Sequence, residues 1–404
     1  MSLIKVFNRG ARLISNDFRR RLFENKIHPD TWSRHDEILQ EAKSKCLIDD
    51  ESFTPCSDIV RRGRELRTEA LIRFRNKYCN VRGLRILIHI PPKNVSPGGY
   101  SLFSNLVESI QYLGIPCERL LWDESTDDRL ESFKPNVLMS SDNSVYKKKI
   151  NWSAIQKYRS ETPLKVGLTA SIEAYGNSPL RGRLEWAKSQ DISFFYSFRS
   201  PEYLRARSDY ALFFSEGYPI HSMEFGANPL HYYPVEAVKD LSYVFLASSN
   251  PDKQSRYEDW LTPILSKYSG FLDGPGWSRV GSCAQTKLHK FLYARAKVGI
   301  NLHIEDSIEW ASELNERSYI LAACGIPQLI DNPLLLKDRF SKETIFQANS
   351  PSEYNELFEY LIHSPEKEFK QPMLALEEVY AKHTTFHRAE SLINQIRCKN
   401  LNNI

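Results

Sequence analysis

Short apolar runs alternate with helix-length segments along most of this 404-residue chain, and the alternation begins twice. The first series starts at 84–90 (LRILIHI) and continues through strand-like runs at 119–122, 137–140, 164–169, 192–196 and 211–214. A Pro/Gly loop and a helical stretch, 101–114, follow the first run. The second series starts after Pro234, with strands expected at 241–246 (LSYVFL), 271–272, 298–303 (VGINLH), 326–330 and 345–346. Helical stretches at 257–268, 287–296 and 312–323 separate them, and helices close the chain. Runs this continuous suit strands buried on both faces, and strands alternating with helices build parallel, doubly wound sheets. The expected fold class is α/β: two tandem Rossmann-like doubly wound domains facing a cleft, joined near 225–240. With 41% hydrophobic residues the chain can fill two cores, and no apolar run nears the ~18 residues that cross a bilayer.

Residues 1–80 have another texture. They read as helical and polar, and carry 17 Lys and Arg against 12 Asp and Glu, an excess larger than the net +4 of the whole chain. Leu3, Ile4, Phe7, Ala11, Ile14, Phe18 and Leu22 recur at three- and four-residue steps, while Lys5, Arg9, Arg12, Arg19, Arg20 and Arg21 fill much of the rest. Such a helix either lies on an anionic membrane surface or packs on the protein's own body. Gly10 interrupts the pattern and favours the second. Seven scattered cysteines without a C-x-x-C point to a reducing compartment. The N-terminus lacks a secretory h-region and cleavage site, so the cytoplasm is the expected location. No metal-ligand pattern appears: His383 and His387 are four apart without a carboxylate signature.

Open parallel sheets bind ligands where strands run into helices, so four loops are candidates. Ser96-Pro-Gly-Gly-Tyr100 offers Gly98 and Gly99 for close backbone approach at a helix start, or is a plain turn. It is neither G-x-G-x-x-G nor a Walker loop. After 241–246 come Ser248, Lys253 and Arg256, which suit a diphosphate or else cap a surface helix. Asp273-Gly-Pro-Gly-Trp277 pairs Gly274 and Gly276 with an indole that either stacks on a base or packs in the core. The fourth segment, from Glu313 through Asn315, Glu316, Arg317 and Ser318 to Gly325, crowds polar groups at the start of an otherwise apolar helix. Arg317 in a first turn opposes the helix dipole, which an anionic ligand would explain; plain capping by Asn315 or Glu316 is the alternative.

These segments, in order, resemble the GT-B glycosyltransferases of the group that includes the spore-maturation protein CgeB. The likeness runs over roughly 190–395. It rests on 225–235 (FGANPLHYYPV), 240–247, 287–303 against "L-x-x-x-Y-x-x-A-x-x-x-x-N-x-H", 315–325 against "N-x-R-x-F-E-x-x-A-C-G", and 383–390 against "H-T-Y-x-H-R".

The resemblance implies transfer of a sugar from a nucleotide-sugar donor to a polysaccharide, glycolipid or similar acceptor, with no cofactor and no metal. It divides the chain into a basic helical extension (1–80), an acceptor domain (81–235), a nucleotide-sugar domain (236–380) and a closing helix (381–404). By position, Arg317 and Glu313 take the catalytic places. The implied donor-binding set is Gly98, Gly99, Ser248, Lys253, Arg256, Gly274, Gly276, Trp277, Asn315, Glu316 and Ser318. Where the family has a ribose-binding Glu this chain has Ile320, so Glu313 or Glu316 substitutes, or donor recognition differs, or the site is a degenerate one that binds a glycan or partner. The base of an inverting reaction is expected in the first α/β domain, with His89, Asp142, Glu173 and Glu216 near strand ends. Residues 1–25 are the candidate contact with an anionic membrane, placing the protein at the inner membrane face; nucleic acid is the less favoured partner.

Overall fold

The computed structural model describes residues 17–47, 55–171, 180–249, 253–281, 283–365 and 369–401. These form two compact units, each built on one parallel sheet.

The first sheet has six strands: β1 (Ile86–Ile90), β2 (Cys117–Leu121), β3 (Val137–Ser141), β4 (Lys165–Thr169), β5 (Phe194–Ser197) and β6 (Ile220–Ser222). Their order is β2-β1-β3-β4-β5-β6, with every pairing parallel. Every residue of β1 and β3 is buried, as continuous apolar runs require. On one face Leu87, Leu138, Val166 and Phe195 pack with Leu130, Ile155, Leu184 and Phe213 from the connecting helices. The order in which strands are added reverses between β1 and β3, and the carboxyl ends around that point are where such sheets take ligands.

One expected strand is a helix. Residues 211–214 lie inside Ser208–Ser215, and the sixth strand is Ile220–Ser222. A four-residue apolar run fits either state. Here Tyr210 and Phe213, three apart, are buried while Phe214 is exposed, which is helical periodicity.

The second sheet has β7 (Leu241–Leu246), β8 (Phe271–Asp273), β9 (Ala296–Asn301), β10 (Gln328–Ile330) and β11 (Phe346–Gln347), in the order β11-β10-β9-β7-β8, again all parallel. Its core joins Tyr243, Phe245, Val298 and Ile300 to Tyr257 and Leu261, and to Phe23 and Ile27 from the basic N-terminal segment.

That segment is therefore part of the second-sheet unit over its described length. Buried Glu24 accepts hydrogen bonds from Ser278 N–H, at 2.9 Å, and from the Ser278 hydroxyl. His35 stacks on Phe271 with centroids 4.8 Å apart, and Thr31 hydrogen bonds to Tyr243 Oη at 3.1 Å. The closing helix, Thr385–Leu401, belongs instead to the first-sheet unit, where the Ser109 hydroxyl donates to Thr385 Oγ1 at 2.6 Å. The expected helix face from Leu3 to Ile14 lies outside the described residues. Among the described residues no helix is long and apolar enough to cross a membrane.

Candidate active site

The apolar strands of the second sheet end in polar residues that stay buried. Asn301 is the last residue of β9, His303 lies two further on, and Asp331 follows β10. Buried polar groups must find partners or cost stability, and these find one another. Asn301 Nδ2 donates to Ser318 Oγ and Gln328 Oε1, both at 2.9 Å. Its Oδ1 accepts from Asn315 Nδ2 at 2.8 Å and from Arg317 Nη1 at 3.1 Å. Asn315 caps the helix Glu316–Ala323, its Oδ1 accepting from Ser318 N–H at 3.1 Å.

Arg317 is held on two sides. Its Nε donates to the carbonyl of Leu246, the last residue of β7, at 3.0 Å, and its guanidinium lies 5.1 Å from the centre of the Phe245 ring. Nη2 has no partner among the described residues. A half-buried cation anchored by two of its nitrogens, at the positive end of a helix, presents the third to an anion.

Arg256 joins the same network through Asp331, its Nη2 donating to Oδ2 at 2.7 Å. Burial would raise the Asp331 carboxyl, but His303, then Arg256, outweigh burial and hold it below the usual carboxylate range. Asp331 thus stays ionised and pairs with Arg256, whereas Arg317 has no carboxylate partner among the described residues.

The other expected donor residues are placed differently. Ser248 is exposed just past β7, and its carbonyl accepts from Tyr257 Oη at 3.2 Å. Lys253 sits at the cap of the helix Gln254–Lys267, and Glu316 is half-buried in the first turn of its own helix. Trp277 is a core residue rather than an open stacking surface. It is 3% exposed, lies against Phe23 and Tyr257, and donates Nε1–H to the Ala247 carbonyl at 2.7 Å. Gly274 and Gly276 are required by protein backbone, not by open space for a ligand: a Cβ would come within 2.3 Å of Ala247 O and 2.7 Å of Ser249 O.

Gly98, Gly99 and Glu313 belong to the first-sheet unit and are no part of this network. The two glycines are in the first turn of the helix Pro97–Tyr112, not in a loop. Gly99 and Glu313 line a cleft of about 300 Å³ at the carboxyl ends of β3, β4 and β5, together with Ser141, Asn143, Tyr146, Thr169, Ser197 and Arg199. Glu313 pairs there with Arg199 at 2.7 Å, and Phe198 stacks on Phe225 at one wall.

The candidate bases lie apart from the cleft lining. Burial lowers the pKa of His89, whose Nδ1 is 2.9 Å from Ser140 Oγ, to about 4. Burial raises Asp142 to about 6, against Arg183 at 2.7 Å. Glu216 is exposed and lies below its ordinary value because Lys188 hydrogen bonds to it. Glu173 lies outside the described residues.

His89 makes acid sensitivity measurable. Its ring stays neutral in the fold down to about pH 4, whereas in an unfolded chain it takes up a proton near 6.5, so acid favours unfolding across that window. Its contribution is full above pH 6.5 and is lost as pH falls toward 4. The total is roughly 3 kcal/mol at about 1.36 kcal/mol per unit. The stability gap between wild type and His89→Asn, measured by urea titration, is expected to shrink by about that amount. A gap that stays constant with pH would show that burial does not hold the ring neutral.

His303, Asp331, Asn301 and Gln328 carry the network, yet only the N-x-H spacing and a polar residue directly after an apolar run announced them. Among the described residues no three His, Cys, Asp or Glu side chains converge as a metal site.

Two parallel-sheet units in one chain are the GT-B fold, as in solved GT-B transferases. Residues 256–394 match the family model described as glycosyl transferase-like. Three solved structures agree in fold. Anabaena HepE, in complex with UDP and glucose, is 10% identical, with a TM-score of 0.51 over 78% of this chain and 99% of its own. An α-glucosyltransferase in complex with UDP-glucose and DNA containing an abasic site is 11% identical, with a TM-score of 0.51 over 78% and 99%. Sucrose-phosphate synthase from Thermosynechococcus elongatus is 12% identical, with a TM-score of 0.50 over 79% and 100%. No curated protein matches in sequence.

Proposed function

We propose that this chain is a glycosyltransferase that binds a nucleoside-diphosphate sugar at the carboxyl ends of β7, β9 and β10 and transfers its sugar to a glycan or glycolipid. The observation that carries the reading is Arg317. It is anchored at Nε and Nη1, is unpartnered at Nη2 among the described residues, and lies inside the segment that matches the glycosyl transferase-like model. A cation fixed where the diphosphate leaves stabilises charge that develops in the transition state, the largest catalytic term available. On this reading no metal or cofactor is needed. The solved relatives bound to UDP or UDP-glucose support a uridine donor, and the five sequence motifs support the CgeB-like group.

A saccharide acceptor suits the cleft in the first-sheet unit. Its hydroxyls, the Asn143 amide, a balanced Arg199–Glu313 pair and aromatic walls match a neutral polyol. A nucleic-acid site would need several cations for phosphates, and among the described residues of the lining Arg199 is the sole cation. Residues 1–25 would bring the enzyme to an anionic membrane at the cytoplasmic face; Phe18 and Leu22, one turn apart, are exposed beside Arg19 and Arg21.

A melting curve with UDP, GDP, CDP or ADP tests the donor site. UDP is expected to raise the transition, and no shift with any of the four would overturn the reading. Ile320, 5% exposed and apolar, favours a second reading, a GT-B relative that binds glycans without transfer. UDP binding without any UDP-sugar turnover would select it.

A further inference from the structure

We infer that His303, oriented by Asp331, is a positioning residue that sets the start of the helix Glu316–Ala323 and so the place of Arg317. The inference rests on the donor site proposed above and adds to it the side chains that hold its cation in register.

The tautomer follows from the hydrogen bonds. Asn315 N–H donates to His303 Nε2 at 3.1 Å, so Nε2 is the lone-pair nitrogen and the ring proton is on Nδ1. Nδ1 faces Asp331 Oδ1 at 2.7 Å, while Asp331 Oδ2 accepts the backbone N–H of His303 itself at 2.9 Å. One buried carboxylate therefore fixes both the ring and the main chain of the residue that bears it. His303 is 1% exposed and Asp331 is fully buried, so the ring has little room to turn away.

That ring is the link between the end of β9 and the helix cap. The N–H of Asn315 precedes the helix and has no partner within it. Bonded to His303, it fixes where the chain enters, two residues before Arg317. The two anchors of Arg317, Leu246 O and Asn301 Oδ1, are on β7 and β9. A helix start displaced by about an ångström would lose one of them, and a misplacement of that size costs ~100-fold in well-positioned sites.

Two variants separate positioning from plain stability. In His303→Gln the longer amide reaches the place of Nε2 and can accept from Asn315 N–H. In His303→Asn the amide can meet Asp331 but falls short of Asn315. Both are polar and smaller than histidine. The full chain of each is titrated with UDP by calorimetry, and hydrogen exchange is followed at the amides of residues 315–318. His303→Asn is expected to weaken UDP binding roughly 10- to 100-fold and to lose protection at Asn315. His303→Gln is expected to stay within a few-fold of wild type in both. Equal UDP affinity and equal protection in the two variants would overturn the inference. Failure of the wild type to bind UDP, with protection still differing between the variants, would strike the donor reading and leave the positioning role standing.

Discussion

Arg317→Ala is expected to lower kcat/KM for transfer from a UDP-sugar by roughly 100- to 1,000-fold, the cost of removing one pre-placed donor to a developing anion. The protein should still fold. The side chain is half-buried, and its loss leaves two acceptors, Leu246 O and Asn301 Oδ1, each short of one hydrogen bond at about 1 kcal/mol. Asn301 Oδ1 keeps its bond from Asn315 Nδ2, which limits the damage. Arg317→Lys is not a rescue. A single ammonium cannot hold Leu246 O and Asn301 Oδ1 and also present a free donor, so it should recover less than a tenth of the lost activity. The measurement is steady-state transfer to a saccharide acceptor, with the UDP-induced melting shift recorded for each variant. Full activity in the alanine variant would remove Arg317 from the site. A lost melting shift with an unchanged transition in the absence of UDP would assign it to the diphosphate.

Much of the scaffold was readable because burial on both faces leaves a plain mark. The run 241–246 coincides with β7, and 84–90, 137–140 and 164–169 each contain or nearly match a strand. The reading failed where length removed the mark: four apolar residues at 211–214 carry no period, and the fold places them in a helix. For the N-terminal segment the favoured reading was packing on the protein's own body, and its described part does contribute to the second core. The residues that pack are not those of the expected stripe: its described members Phe18 and Leu22 are exposed, while Phe23 and Ile27 enter the second core and buried Glu24 accepts from Ser278. For the site, the crowded helix start at 315–318 was legible as an oddity. The residues that explain it were not, because His303 and Asp331 are 28 apart and meet only once β9 and β10 are side by side. Trp277 shows the converse. Glycines next to an indole resemble a base-binding loop in sequence, and tertiary packing turns the same residues into a seam between the β8 exit and the β7 exit.

That seam gives the largest expected effect on stability. Gly274 has φ +138°, a region that side chains rarely enter, and a Cβ there would lie 2.3 Å from Ala247 O and 2.6 Å from its carbonyl carbon. Neither atom can move cheaply. Ala247 N–H donates to Asp273 O at 2.8 Å, Ser249 N–H donates to Pro275 O at 2.8 Å, and the Trp277 indole bonds to the same Ala247 carbonyl. Gly274→Ala must therefore strain the backbone or open the seam, and a loss of roughly 2–4 kcal/mol is expected from the two costs together. Gly98→Ala is the control. Its Cβ meets nothing within 4 Å and it stands in a helix, where alanine is favoured over glycine by about 0.5–1 kcal/mol. The same chemical change should then move the urea midpoint in opposite directions at the two positions. The seam also carries the β7 exit, next to the Leu246 carbonyl that anchors Arg317, so Gly274→Ala should weaken UDP binding while Gly98→Ala leaves it unchanged. A Gly274→Ala protein as stable as wild type would mean that the loop after β8 yields freely, and that Arg317 is held by its own helix and β9 alone.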